Sequence, residues 1–343
     1  MPCLRPSDDA PSRAQADAGE LISAEMPSNP RSIGTLSGFG GIFRFALSAA
    51  LLIGLGFLVD WRSLGSAARS LSWSVLAIGA GILVVQVLIG AWRANSFLRM
   101  AGSRPDAGVV VQVYALSVLA NAFLLNFVAG AIARIVLLHR HQVSVPVSVA
   151  TVVAEKITIL VTLCGLAIVA AFVWIYAIGQ RLPSDRELMV FGGAGIAVVA
   201  LMAATARVWG RPLLSMLWGW PRATLDICLA LLSNKTTWFV GAGATLLSLL
   251  CAWGTYTLLA RTMGIDGAGP MIALVLPLVS VIASLPISIG GWGVRELSFS
   301  ALLYGFGIPA EKAILVTAIA SLLGIVAAFV VAVAVFAGKR RAL

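Results

Sequence analysis

Residues 313–337 read AILVTAIASLLGIVAAFVVAVAVFA, a run of 25 positions without a charge. As helix the run is about 37 Å long, more than the roughly 30 Å hydrocarbon core of a bilayer. Similar apolar runs recur upstream at 42–59, 72–91, 109–129, 157–178, 189–208, 236–260 and 271–289. Apolar residue types make up 60% of the 343 residues and charged types 11%, a balance that a water-soluble globular chain does not carry. The pattern predicts an all-α fold: a polytopic transmembrane helical bundle of about eight spans.

Three regions follow from composition. Residues 1–40 are polar, Pro/Ser/Ala-rich and charged with both signs, and are expected to form a disordered tail. They lack the apolar core of a cleavable signal peptide, so the first span is expected to direct insertion. Residues 41–338 form the transmembrane domain, and 339–343 a short basic C-terminal tail.

The net charge of +10 does not point to nucleic acid, because the basic residues are scattered over short connections. Arg93, Arg99 and Arg104 fall in a predicted loop at 92–108, and Lys339, Arg340 and Arg341 close the chain. Juxtamembrane Lys and Arg set topology and meet anionic headgroups. On that rule the 92–108 loop and both termini are cytoplasmic. The four basic residues between Arg207 and Lys235 then fall outside and oppose the bias.

The chemistry-bearing motifs of soluble enzymes are missing. The sequence has no P-loop, no GxSxG, no HExxH and no acidic pair of DxxD type. His139 and His141 have no third metal ligand in sequence, and the four cysteines show no pairing pattern. No cofactor, metal site or catalytic residue is expected.

Two places break the apolar pattern in the same way. One reads NFVAGAIARIVLLHRHQVSVP (126–146) and the other ISIGGWGVRELSFSALLYGFGIP (287–309). Each sets a glycine four residues before an arginine, Gly130 to Arg134 and Gly291 to Arg295. Each then has an apolar run too short to cross, Ile135–His139 and Leu297–Gly307, and a proline before the next span. Such segments suit re-entrant pieces, because non-helical backbone at membrane depth must be covered by protein or line a wet cavity. Paired broken segments in two halves of a chain point to a transport site. The count of eight spans puts both arginines on one side and favours a parallel repeat.

Charges near these breaks are the candidate contacts. A charge at the centre of a span costs about 2.5–3.5 kcal/mol on insertion scales, so it is kept where it is paired or faces water. Arg134, Lys156 and Arg295, moderated by Glu155 and Glu296, would suit an anionic headgroup or lipid phosphate, which guanidinium binds with paired hydrogen bonds. The same charges would equally serve to pair with one another and hold the bundle. Gly290, Gly291 and Gly293 permit a tight break, Pro286 ends the preceding helix, and the freed N–H groups of the next half-helix would accept an anion. Residues 211–235, with Trp218, Pro221, Arg222 and Asp226, read as an interfacial amphipathic helix.

PISIGGWGVRE followed by LLYGFGIPAEKAI resembles the C-terminal signature of the lysylphosphatidylglycerol synthase transmembrane-region family, flippase-like membrane proteins related to the membrane half of the multiple peptide resistance factor. The resemblance extends over most of 41–338. Asn126, Gly130 and Arg134, then Glu155–Lys156, fall where that family carries an earlier motif. Val128 and Ala131 stand near where members often have proline and an acidic residue, and Lys156 where arginine is usual.

The resemblance implies movement of a phospholipid, aminoacylated lipid or polyprenyl-linked lipid across the bacterial cytoplasmic (inner) membrane, with membrane lipids as partners. It implies no synthesis by this chain, since aminoacyl transfer in the full synthases belongs to a soluble domain after the membrane region and the sequence stops at Leu343. Two other readings stand beside it: a non-catalytic membrane subunit assisting a separately encoded lipid-modifying enzyme, and an intramembrane lipid-linked transferase.

Overall fold

The protein is described here from a computed structural model over residues 71–123, 126–178, 222–284 and 293–341. Every described element is helical. In chain order the helices are α1 (Trp73–Met100), α2 (Ala107–Phe123), α3 (Asn126–Arg140), α4 (Val145–Ile178), α5 (Arg222–Ser233), α6 (Lys235–Thr262), α7 (Ala268–Ser284), α8 (Val294–Tyr304) and α9 (Ala310–Arg341). The predicted tail 1–40 and the predicted spans 42–59 and 189–208 lie outside the described residues.

Among the described residues, α1, α4, α6 and α9 are long and apolar enough to cross a membrane. They cover the predicted spans 72–91, 157–178, 236–260 and 313–337. Of the other two predicted spans, 109–129 is corrected, being divided between α2 and α3, while 271–289 is covered by α7 as far as Ser284, and 285–289 lie outside the described residues. The 92–108 loop is corrected as well: α1 runs on to Met100, so Arg93 and Arg99 are helical. Arg134 and Ile135–His139 are likewise inside the 15-residue α3 rather than in a short separate run. The predicted basic tail begins within α9, whose helix continues through Arg341.

These helices form two repeats, α1–α4 and α6–α9. Each runs as a 28-residue helix, a 17-residue helix, a break, a short helix, and a helix of more than 30 residues. The matching extends to the helix ends. After α1 the chain turns at Gly102 (φ 83°) with Ser103 N–H donating to Leu98 C=O, and after α6 at Gly264 (φ 70°) with Ile265 N–H donating to Ala260 C=O. Both are left-handed C-terminal turns that glycine adopts without a Cβ penalty. The cores match too. Leu98, Val110, Val113 and Leu138 bind the first repeat, and Leu259, Ile272, Val275 and Phe299 take the corresponding places in the second.

The repeats are inverted, not parallel. Met100, at the end of α1, accepts a hydrogen bond from Thr237 at the start of α6 (3.6 Å). Arg93 meets Thr245 (3.4 Å), and Gly79, near the start of α1, faces Thr255 near the end of α6. The two equivalent helices therefore pack antiparallel. Contacts between the repeats are exchanged in the same sense: α2 packs on α9 and α7 packs on α4. The parallel expectation failed because it rested on a count of full crossings, and 109–129, counted as one of them, folds instead as the α2–α3 hairpin. Glycines allow the close approach at equivalent places, Gly79 against Leu323 of α9 and Gly241 against Thr158 of α4.

The described part of the predicted amphipathic stretch is α5, which turns Thr224, Cys228 and Leu231 inward against α4 and leaves Leu229 exposed. Large apolar side chains on α4, α6 and α9 remain uncovered, among them Phe172, Phe239 and Phe329. On membrane-spanning helices these are the surfaces that meet lipid.

Candidate functional site

The first hairpin is fixed by a buried charge cluster. Glu155, in the first third of α4, is 2% exposed. Its Oε1 accepts from Arg93 Nε of α1 at 3.0 Å and lies 2.9 Å from Arg93 Nη2, while its Oε2 accepts from Arg134 Nη1 of α3. Arg134 also stands over the ring of Tyr114 of α2, 4.8 Å from its centroid. One carboxylate thus ties α1, α3 and α4 together, and the aromatic face adds a cation–π contact from α2. Both arginines are thus ion-paired to the one carboxylate. The cluster carries one net positive charge before Lys156 is counted.

Gly130 sets how closely α2 and α3 approach. Its N–H donates to Asn121 Oδ1 at 2.8 Å, and a Cβ there would lie 2.4 Å from both Asn121 Oδ1 and the Ser117 carbonyl oxygen. Any larger residue would push the hairpin open and lift Arg134 away from Glu155. Asn126 begins α3.

The second hairpin is built differently. Pro286, Gly290 and Gly291 lie outside the described residues. Gly293 caps α8 with φ 82°, a conformation that favours glycine. The Gly293 N–H, expected to be open to an anion, instead donates to Glu296 Oε2 at 2.7 Å. Glu296 therefore folds back onto the N-cap N–H, the acid half of a capping box without its side-chain half, and is itself buried at 3% exposure. Arg295 points the other way, with Nη1 donating to Ser321 Oγ of α9 at 3.1 Å and its guanidinium beside the Tyr256 hydroxyl of α6. No carboxylate among the described residues pairs with it. The two corresponding arginines have thus diverged: Arg134 is sealed by its own carboxylate, and Arg295 is not.

Between the repeats lies a cavity of about 480 Å³, lined from α1, α2, α4 and α6 to α9. Its polar lining includes Arg93, Arg295, Glu296, Gln86, Asn121 and Ser284, together with further hydroxyls of both repeats. The volume falls in the ordinary range for a small-molecule site. Of the five predicted headgroup contacts, Arg295 and Glu296 line it. Arg134, Glu155 and the half-buried Lys156 do not, although Glu155 holds Arg93, which does.

Sequence reasoning missed Arg93. The predicted span ends at residue 91, and Arg93 is read with Arg99 and Arg104 as a basic residue of the 92–108 loop. Its signal was indirect. Glu155 on an apolar helix demands a cation, and Arg93 lies on a helix-forming stretch with no Gly or Pro until Gly102. Among the described residues the groups that converge on the cavity are cationic or neutral and polar, with Glu296 the one carboxylate in the lining and that one already bound to its own backbone. Such a lining can hold an anion through guanidinium forks and hydroxyls inside an otherwise apolar bundle. Among the described residues no group of three His, Cys, Asp or Glu side chains could hold a metal ion.

The model of one protein family, the lysylphosphatidylglycerol synthase TM region, matches residues 42–334. The chain belongs to that family. It matches no curated protein and no solved structure. The family match spans both repeats and both broken hairpins, and with the four long apolar helices it makes the chain an integral membrane protein. Membership of the lysylphosphatidylglycerol synthase transmembrane-region family ties it to lipid modification or lipid flipping.

Proposed function

We propose that this protein moves the phosphate-bearing headgroup of a membrane lipid across the bacterial cytoplasmic membrane, without acting as an enzyme. The observation that carries this reading is the polar cavity between two inverted repeats, with Arg93 contributed by one and Arg295 by the other. Inverted repeats with broken helices are the architecture in which one repeat rocks against the other around a shared site. A cavity of about 480 Å³ takes a headgroup while the acyl chains stay in lipid. The phospholipid, an aminoacylated lipid and a polyprenyl-linked lipid all carry the phosphate that the arginines would bind. With both termini cytoplasmic, as the basic C-terminal end favours for its own side, the headgroup would travel between the inner and outer leaflets.

A second reading draws on the family name, which refers to the membrane region of a synthase. In it the chain presents a lipid to a separately encoded lipid-modifying enzyme and transfers nothing by itself.

Reconstitution into liposomes separates the two. Fluorescent phospholipids of zwitterionic, anionic and aminoacylated headgroup are placed in both leaflets and quenched from outside. Accelerated loss of the protected inner-leaflet signal with the wild type, and its return to the protein-free rate with Arg295→Gln, supports transfer. No acceleration for any headgroup moves the weight to the second reading.

A further inference from the structure

The cavity has two ends of unequal character. On α6 its lining runs from Thr245 to Tyr256, eleven residues apart and so about 16 Å along the helix. Arg93 meets α6 at Thr245, and Arg295 meets it at Tyr256. The second placement is fixed independently by Phe299, one turn beyond Arg295 on α8, whose ring packs edge-on against Tyr256 at 5.2 Å. The two guanidiniums therefore stand at opposite ends of one cavity. A single phosphate, only a few ångströms across, cannot touch both.

Their surroundings differ. Arg93 has Nε and Nη2 on Glu155, and Nη1 on Thr245, so its fork is already occupied by a carboxylate. Arg295 is held by the hydroxyl of Ser321, with no carboxylate bound to it among the described residues. Its neighbour Glu296 is turned to the N-terminal backbone of α8, where the helix supplies a partial positive charge. A phosphate at Arg295 displaces hydroxyl contacts, whereas a phosphate at Arg93 must share the guanidinium with Glu155.

The geometry points to two phosphate stations at different depths of the same cavity: an open one at Arg295 with Tyr256 and Ser321, and a latched one at Arg93 with Thr245, held back by Glu155. The ligand class is a phosphodiester, taken one per station. The inference rests on the proposed lipid-handling role and adds its stations and their order of affinity.

The test counts bound lipids rather than transfer. The full chain in detergent is titrated with dihexanoyl phosphatidylglycerol and observed by native mass spectrometry. The wild type is expected to take one lipid tightly and a second at least 10-fold more weakly. Arg295→Gln removes the tight event, Arg93→Gln removes the weak one, and Arg99→Gln, on the exposed end of α1, changes neither. Arg93→Lys preserves the charge paired with Glu155 and guards against a folding defect. It is expected to weaken the second event without affecting the first. An arm with inorganic phosphate shows whether the stations read phosphate alone, in which case the same two arginines govern two weaker events.

The inference is overturned if Arg93→Gln and Arg295→Gln abolish the same event, if one lipid binds at saturation, or if the tight event survives Arg295→Gln. These outcomes are independent of the liposome assay. Lipid transfer with a single binding event would sink the two stations and leave the transfer role standing. Two events without transfer would do the reverse.

Discussion

Replacing Glu155 by glutamine tests whether one carboxylate holds the first repeat. The side chain keeps its size, so the packing of α4 is undisturbed, but its charge is lost and one oxygen becomes an N–H₂ donor facing an arginine donor. Two guanidiniums, Arg93 at 6% and Arg134 at 8% exposure, then share a neutral amide with one acceptor. Breaking a buried ion pair by removing one partner costs about 3–5 kcal/mol, because the remaining charge is left uncompensated. Here two charges are left, so the upper half of that range is expected. Arg134→Gln should cost less, since Glu155 keeps Arg93, and the double variant Arg134→Gln/Glu155→Gln should be more stable than Glu155→Gln alone. Equilibrium unfolding in mixed micelles of increasing SDS fraction, followed by circular dichroism, gives the three free energies. The double-mutant coupling should exceed about 1 kcal/mol, above the roughly 0.6 kcal/mol average for hydrogen bonds between membrane helices. A loss under about 1 kcal/mol for Glu155→Gln, or additive effects, would refute the shared-carboxylate lock.

Gly130→Ala places a methyl 2.4 Å from the Ser117 carbonyl oxygen, a backbone atom that cannot swing aside, and overpacking of this kind costs about 1–3 kcal/mol. The drop in unfolding midpoint checks it, and an unchanged midpoint would mean that α2 and α3 are looser than described. Glu296→Ala removes the acceptor of the Gly293 N–H and leaves that donor unpaired, for a loss of about 1–3 kcal/mol in the same assay. Glu296→Gln, which retains an accepting oxygen, should lose clearly less, and equal losses would argue against capping. The inverted repeat is tested by labelling in a cysteine-free background: Arg104→Cys after α1 and Asp266→Cys after α6 should react with a membrane-impermeant maleimide from opposite sides of the membrane. Reaction from the same side would restore a parallel repeat.

What the sequence disclosed was whatever depends on local composition. Residues 313–337 carry enough uninterrupted apolar surface that no other environment suits them, and four of the predicted spans recur as full-length helices. The glycine-to-arginine spacing at 130–134 and 291–295 located both hairpins, because only a small residue and a charge at that depth interrupt an otherwise featureless pattern. What stayed hidden depends on helices finding each other. Hydropathy could not tell α2 from a full span, since Ala107–Phe123 is as apolar as its neighbours and falls short by only a few residues. Counting 109–129 as one full crossing, where α2 and α3 form a hairpin, led to the parallel reading of the repeat.

The equivalence of the two arginines was hidden for the same reason. Gly130–Arg134 and Gly291–Arg295 are identical as motifs, yet one guanidinium is sealed and the other lines the cavity. The difference lies in the following long helix. Glu155 on α4 reaches Arg134, whereas α9 offers Arg295 the hydroxyl of Ser321. Two copies of one hairpin have therefore been assigned different duties by a single side chain on the helix that follows. In the first repeat the carboxylate stabilises the hairpin and occupies Arg93. In the second, α9 supplies no carboxylate and none among the described residues pairs with Arg295, which lines the cavity, a costly arrangement inside a membrane unless something anionic comes to meet it. If that is the reason for the asymmetry, introducing a carboxylate at Ser321 should convert the second hairpin into a copy of the first. Ser321→Asp is then expected to raise stability in mixed micelles, as Arg295 gains a partner, and to abolish the tight lipid-binding event. A variant that is more stable and still binds lipid tightly would show that the open charge of Arg295 serves something other than an anion.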